Sequence, residues 1–86
     1  MSGDLRDRVS ALSSLLVRQR RQLAQIALAI AETEDLIAET LEREALTFPH
    51  RADELRAKAQ AARQFAVVER TAAARYQNPS HPDWAD

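Results

Sequence analysis

Acid–base or metal chemistry in this chain would have to start from its two histidines. His50 lies close to Asp53 and Glu54, and an imidazole beside carboxylates can relay a proton or hold a cation. Those acids, however, stand where a helix begins, and acidic residues in a first turn are ordinary choices for capping and for the helix dipole. His81 and Asp83 sit in a proline-containing tail that lacks the rigid support a site requires. Ser10, Ser13 and Ser14 have no base near them. No cysteine is present to act as nucleophile or thiolate ligand, and the single glycine, Gly3, cannot make a phosphate-cradling loop. The expectation is no enzyme, no cofactor, no metal and no small-molecule substrate.

The other candidate chemistry is charge. Arg18, Arg20 and Arg21 form the one basic cluster and, with Gln19 and Gln22, could contact phosphates. The formal net charge is only −1, whereas helices that touch DNA usually belong to basic domains. No nucleic-acid partner is therefore expected; the alternative is a small helical regulator that touches nucleic acid through those three arginines. Residues 4–21 partly fit a helix lying on a membrane, with apolar residues beside Arg6, Arg8 and the cluster, but Asp4 and Asp7 interrupt the basic face. The most apolar stretch, residues 23–30, is too short to span a bilayer and runs into Glu32, Glu34 and Asp35. No apolar core follows a basic start at the N-terminus, so a cytoplasmic protein without a membrane partner is expected. Seventeen alanines, and arginine at eleven of twelve cationic positions, fit a GC-rich bacterial coding bias.

Long helices must position all of these residues. Glycine and proline are absent from residues 4–48 and again from 50–78, and no alternating β-branched run suggests a strand. The reading is all-α: a long helix over residues 4–47, a shorter one over 49–77, and an extended, proline-containing tail over 78–86. Ser2 or Asp4 can cap the first helix, Phe48 before Pro49 ends it, and Pro49 suits the first turn of the second. Along the first helix one core position of a heptad frame holds Val9, Leu16, Leu23, Ile30 and Ile37. The other holds Leu5, Leu12, Gln19, Ile26, Thr33 and Thr40. On the second helix Ala52, Leu55, Ala59, Ala62, Ala66 and Ala73 make a small-residue inner stripe. Phe65, Val68, Ala72 and Tyr76 form a bulkier stripe beside it.

Pro49 could kink one long rod or reverse the chain. Charge favours reversal. Residues 32–44 hold six acids and one base, while residues 50–76 hold six bases and three acids. Acids at a helix C-terminus oppose its dipole and are better tolerated beside a basic helix that folds back. Folding back would set Glu39 near Lys58 and Glu34 near Arg63. An antiparallel hairpin with coiled-coil-like packing is thus expected, and the shorter helix runs out near residue 20 of the longer one. Residues 4–19 then have no partner within the chain, although they carry Leu5, Val9, Leu12, Leu15, Leu16 and Val17.

These residues predict a protein interface: Leu5, Val9, Leu12, Leu15 and Leu16 as its main part, with Phe65, Val68 and Tyr76 as a second surface and Trp84 as a possible anchor. The partner is another protein, a second copy giving a dimer or four-helix bundle, or both. In outline, a short chain folded as an unequal helical hairpin is similar to small co-chaperones of bacterial type III secretion needles and to accessory subunits of bacterial and phage assemblies. That likeness covers architecture alone. The function expected is a non-catalytic interaction module: an assembly factor, chaperone, adaptor or accessory subunit of a larger bacterial complex.

Overall fold

With no helix breaker before Pro49, nothing interrupts the first helix once it has started. In the computed structural model, which describes residues 2–78, helix α1 spans Ser2–Thr47 without a break. Its 46 residues make a rod roughly 69 Å long at ~1.5 Å per residue. Phe48 leaves the helix with φ −121° and ψ 76°, as the ring of the following proline requires. Its N–H still donates to the Glu44 carbonyl at 2.8 Å. A single 3-10 turn, Pro49–Arg51, reverses the chain, closed by the Arg51 N–H donating to the Phe48 carbonyl at 2.9 Å. The Phe48 ring meets His50 edge-on with centroids 6.3 Å apart. Helix α2, Ala52–Gln77, follows at once with Asp53 and Glu54 in its first turn, and ends at Asn78 in an extended conformation.

The two helices form an antiparallel hairpin rather than a kinked rod, and α2 packs on α1 along its full length. Met1 and residues 79–86, with the tail and Trp84, lie outside the described residues. The Cα envelope measures 73 × 21 × 12 Å, two helices wide and one deep. Element boundaries agree with the sequence reading to within about a turn.

The seam is different from the one the largest side chains suggested. Leu23, Ile26, Ile30 and Ile37 remain exposed. The buried side of α1 is Ala24, Ala27, Ala31, Ala38 and Ala45, which meets Leu55, Ala59, Ala62, Ala66 and Ala73 of α2. Ala38 packs with Ala59 and Ala62, flanked by Leu41; Ala24 and Ala27 pack with Ala73, flanked by Tyr76. Small side chains allow the helix axes to approach closely, which larger aliphatics at the contact would prevent. The inner stripe read on α2 is buried except at Ala52, which is only half-buried at the start of the helix. On α1 the aliphatic frame lies one residue away from the alanine frame, about 100° around the helix.

Such a core contains little hydrocarbon. Leu55, 1 % exposed, is the sole large side chain that is fully buried among the described residues. It closes the seam just past the turn. Leu55→Ala is expected to cost about 2–5 kcal/mol, read as a lower midpoint in urea unfolding.

Candidate functional site

The hairpin has two unlike edges, and the seven-residue frame decides which residues stand on each. Asp35 and Glu42 on α1 lie four residues after Ala31 and Ala38; Arg63 and Arg70 on α2 lie four residues after Ala59 and Ala66. These two sets face each other across one edge. Arg63 donates to Glu42 from Nε at 2.8 Å and from Nη2 at 2.6 Å, and its Nη1 stands 3.9 Å from Asp35. Arg70 pairs with Asp35. The hydrogen bonds to Glu42 hold the Arg63 guanidinium above its ordinary range. The expected pairs Glu39–Lys58 and Glu34–Arg63 are corrected here: Arg63 uses Glu42 and Asp35, and Lys58 pairs within its own helix, 3.0 Å from Glu54. The register was read to within a turn, but only residues flanking the alanine seam can reach across it.

The opposite edge is apolar. Leu23, Ile30 and Ile37 each precede a seam alanine of α1 by one residue, and Phe65 and Ala72 do the same on α2. In an antiparallel pair like flanks meet, so Phe65, level with the stretch between Ile30 and Ile37, and Ala72 share this edge with those residues. Ile26 on α1 and Val68 on α2 extend the face outward. Phe65 is half exposed and Val68 62 % exposed. Thr33 and Thr40 interrupt the stripe without adding free polar groups. Their hydroxyls donate to the carbonyls of Ala29 at 3.0 Å and Leu36 at 2.9 Å in their own helix.

Beyond Tyr76 the same stripe runs on along a bare helix. Leu5, Val9, Leu12 and Leu16 are 57–65 % exposed, continuing the line of Leu23, Ile26, Ile30 and Ile37. Leu15 lies beside the stripe and is less exposed than its neighbours. Val17 falls on the extension of the alanine seam, where Ser13, Leu16, Arg20, Tyr76 and Gln77 line a shallow step at the end of α2. Tyr76, expected on a second surface, is half-buried against Ala24, Ala27 and Ala73 and belongs mainly to the hairpin contact.

Arg20 has a structural task. Its guanidinium donates from Nε to the Tyr76 carbonyl at 3.3 Å and from Nη2 to the Arg75 carbonyl at 3.4 Å. These carbonyls end α2, where a cation also suits the helix dipole. Arg18 and Arg21 are exposed. The basic cluster is thus split between a cap and two surface side chains.

His50 stays at the turn against Phe48, and His81 lies outside the described residues. Among the described residues no group of three or more histidines and carboxylates is placed to hold a metal, and no helix is long and apolar enough to cross a membrane. Near the turn, Glu54 accepts from Lys58, which chiefly holds its carboxyl below the usual carboxylate range, helped by Arg51 at 3.4 Å. A depressed carboxyl stabilises the fold above its unfolded-state value and loses that contribution as pH falls through the folded value. Glu54→Gln should therefore flatten the fall in melting temperature below about pH 4, with only a small change at neutral pH.

Set against known protein families, curated proteins and solved structures, the chain matches none of them.

Proposed function

We propose that this chain is a non-catalytic protein–protein interaction module that binds through the aliphatic stripe of α1. It serves as an assembly factor, chaperone or accessory subunit of a larger complex in the bacterial cytoplasm. The observation that carries this reading is one apolar line of eight large aliphatic side chains, Leu5 to Ile37, lying outside the hairpin's own core. Each is about half exposed, so covering it adds about 1 kcal/mol. Summed along the stripe, that is on the order of 8 kcal/mol gross, enough to offset a substantial part of the cost of association. A continuous bare seam of this length is foreign to a lone soluble chain. Phe65 and Val68 widen the same face at the hairpin end.

A tagged chain offered to extract from the native host tests the reading. Proteins retained by the wild type, further copies of the chain included, should be lost with Leu12→Asp/Leu16→Asp. They should be kept with Arg18→Ala/Arg21→Ala. Equal retention by wild type and the Asp variant would contradict the reading. Tight binding to mixed DNA or RNA at moderate salt, lost in the arginine variant, would replace it with the nucleic-acid regulator.

A further inference from the structure

We infer that the occupant of this face is a second copy of the chain, laid antiparallel so that each overhang lies against the other copy's hairpin. This rests on the interaction reading above and names its partner. Three observations point the same way. The first is charge. Residues 2–21 carry five arginines and two aspartates, whereas residues 32–47 carry six carboxylates and one arginine. Antiparallel pairing centred on residue 21 sets Arg8 of each α1 level with Glu34 of the other and gathers Arg18, Arg20 and Arg21 near the two-fold axis; parallel pairing sets the acidic stretch 32–44 beside its own copy.

The second is repeat length. The stripe keeps a strict seven-residue repeat from Leu5 to Ile37, and a seam of that period matches another seam of the same kind. Antiparallel alignment about residue 21 sets Leu16 level with Ile26 of the other copy, Leu12 with Ile30 and Leu5 with Ile37. Three of the four stripe aliphatics of the overhang thus meet aliphatic residues of the hairpin, Val9 falls level with Thr33, and a two-fold axis repeats each layer. The third is fit. The stretch of α1 without α2 is 18 residues, from Ser2 to Gln19, and the stretch beside α2 is longer, from Arg20 to Thr47. One overhang therefore lies wholly alongside the other copy's hairpin. There it makes the third helix on the edge where Ile30, Ile37 and Phe65 stand, opposite the Asp35–Arg70 and Glu42–Arg63 pairs.

The chain has no cysteine, so introduced thiols report pairing without background. Leu12→Cys and Ile30→Cys are made in separate full-length chains, mixed, refolded together and oxidised mildly. A disulfide requires Cα atoms within about 7 Å. The expected result is a cross-linked pair containing one of each chain, with neither variant linking to itself. Leu5→Cys with Ile37→Cys should behave likewise, which guards against one pair perturbing the fold. Self-linking of Leu12→Cys would mark a parallel pair and overturn the inference. So would the absence of a cross-link from both mixtures, or a mass of one chain for the wild type. If the wild type is a single chain but Leu12→Asp/Leu16→Asp still loses a different retained protein, only the second copy is lost and the interaction reading stands.

Discussion

Leu12→Asp with Leu16→Asp should weaken association by at least about 1,000-fold while the hairpin stays helical. Both leucines are about 60 % exposed and lie outside the alanine seam, so their loss leaves that seam intact. In a two-fold pair the double change removes four buried leucines. At about 1 kcal/mol each that is ~4 kcal/mol, or three powers of ten in the dissociation constant. Four carboxylates placed in an apolar contact add a desolvation cost on top. Within the helix each Leu→Asp change loses only about 0.5 kcal/mol of propensity, and the stretch from Arg20 to Gln77 keeps its alanine seam. The check pairs sedimentation equilibrium with far-ultraviolet circular dichroism. Loss of all helicity would mean that the overhang belongs to the folding core, contrary to its exposure.

Ala38→Leu should destabilise the hairpin by about 1–3 kcal/mol, although it adds hydrocarbon to a buried position. Ala38 is fully buried between Ala59 and Ala62, and three more carbons there force the axes apart along the whole contact. For a chain of this size each kcal/mol lowers the melting temperature by roughly 4–8 °C. Ala57→Leu on the exposed face of α2 is the control, and it should be close to neutral because alanine and leucine are both good helix formers. Ala66→Leu should behave like Ala38→Leu. Were the aliphatic line of α1 the hairpin seam, Ala38→Leu would instead be harmless.

Much of this fold was legible from the residues. The absence of glycine and proline marked both helices, Phe48-Pro49 marked the reversal, and the uneven acids and bases marked its direction. The inner stripe of α2 was also legible, because Ala52, Leu55, Ala59, Ala62, Ala66 and Ala73 offer no bulkier rival on that face. On α1 size misled. Leu23, Ile26, Ile30 and Ile37 outweigh the alanines in any hydrophobicity ranking, yet the contact within the hairpin went to the alanines. The missed signal is period rather than size. Ala24, Ala31, Ala38, Ala45, Ala52, Ala59, Ala66 and Ala73 recur at every seventh residue straight through the turn. Alanine is a good helix former anywhere, so a single one says little; a run in one phase, all but Ala52 of it buried, marks a close helix contact.

The candidate site was legible in part. The overhang and its Leu5, Val9, Leu12 and Leu16 follow from comparing two helix lengths. That the face continues onto the hairpin through Ile30, Ile37 and Phe65 needed the alanine seam first, since only then are those side chains left outside. Arg20 was read with Arg18 and Arg21 as one cluster. Its role at the end of α2 depends on where Arg75 and Tyr76 arrive, which no local pattern records.

Helix α1 carries two seven-residue seams about 100° apart, a small one filled by α2 and a large one exposed, which we propose another chain covers. Light scattering on the purified full-length chain, followed from high to low concentration, tests it most directly. The expected mass at high concentration is twice the 9.7 kDa of one chain, falling toward one chain only on dilution. A constant 9.7 kDa with no aggregation at any concentration would mean that water tolerates the large seam bare, and would contradict the account.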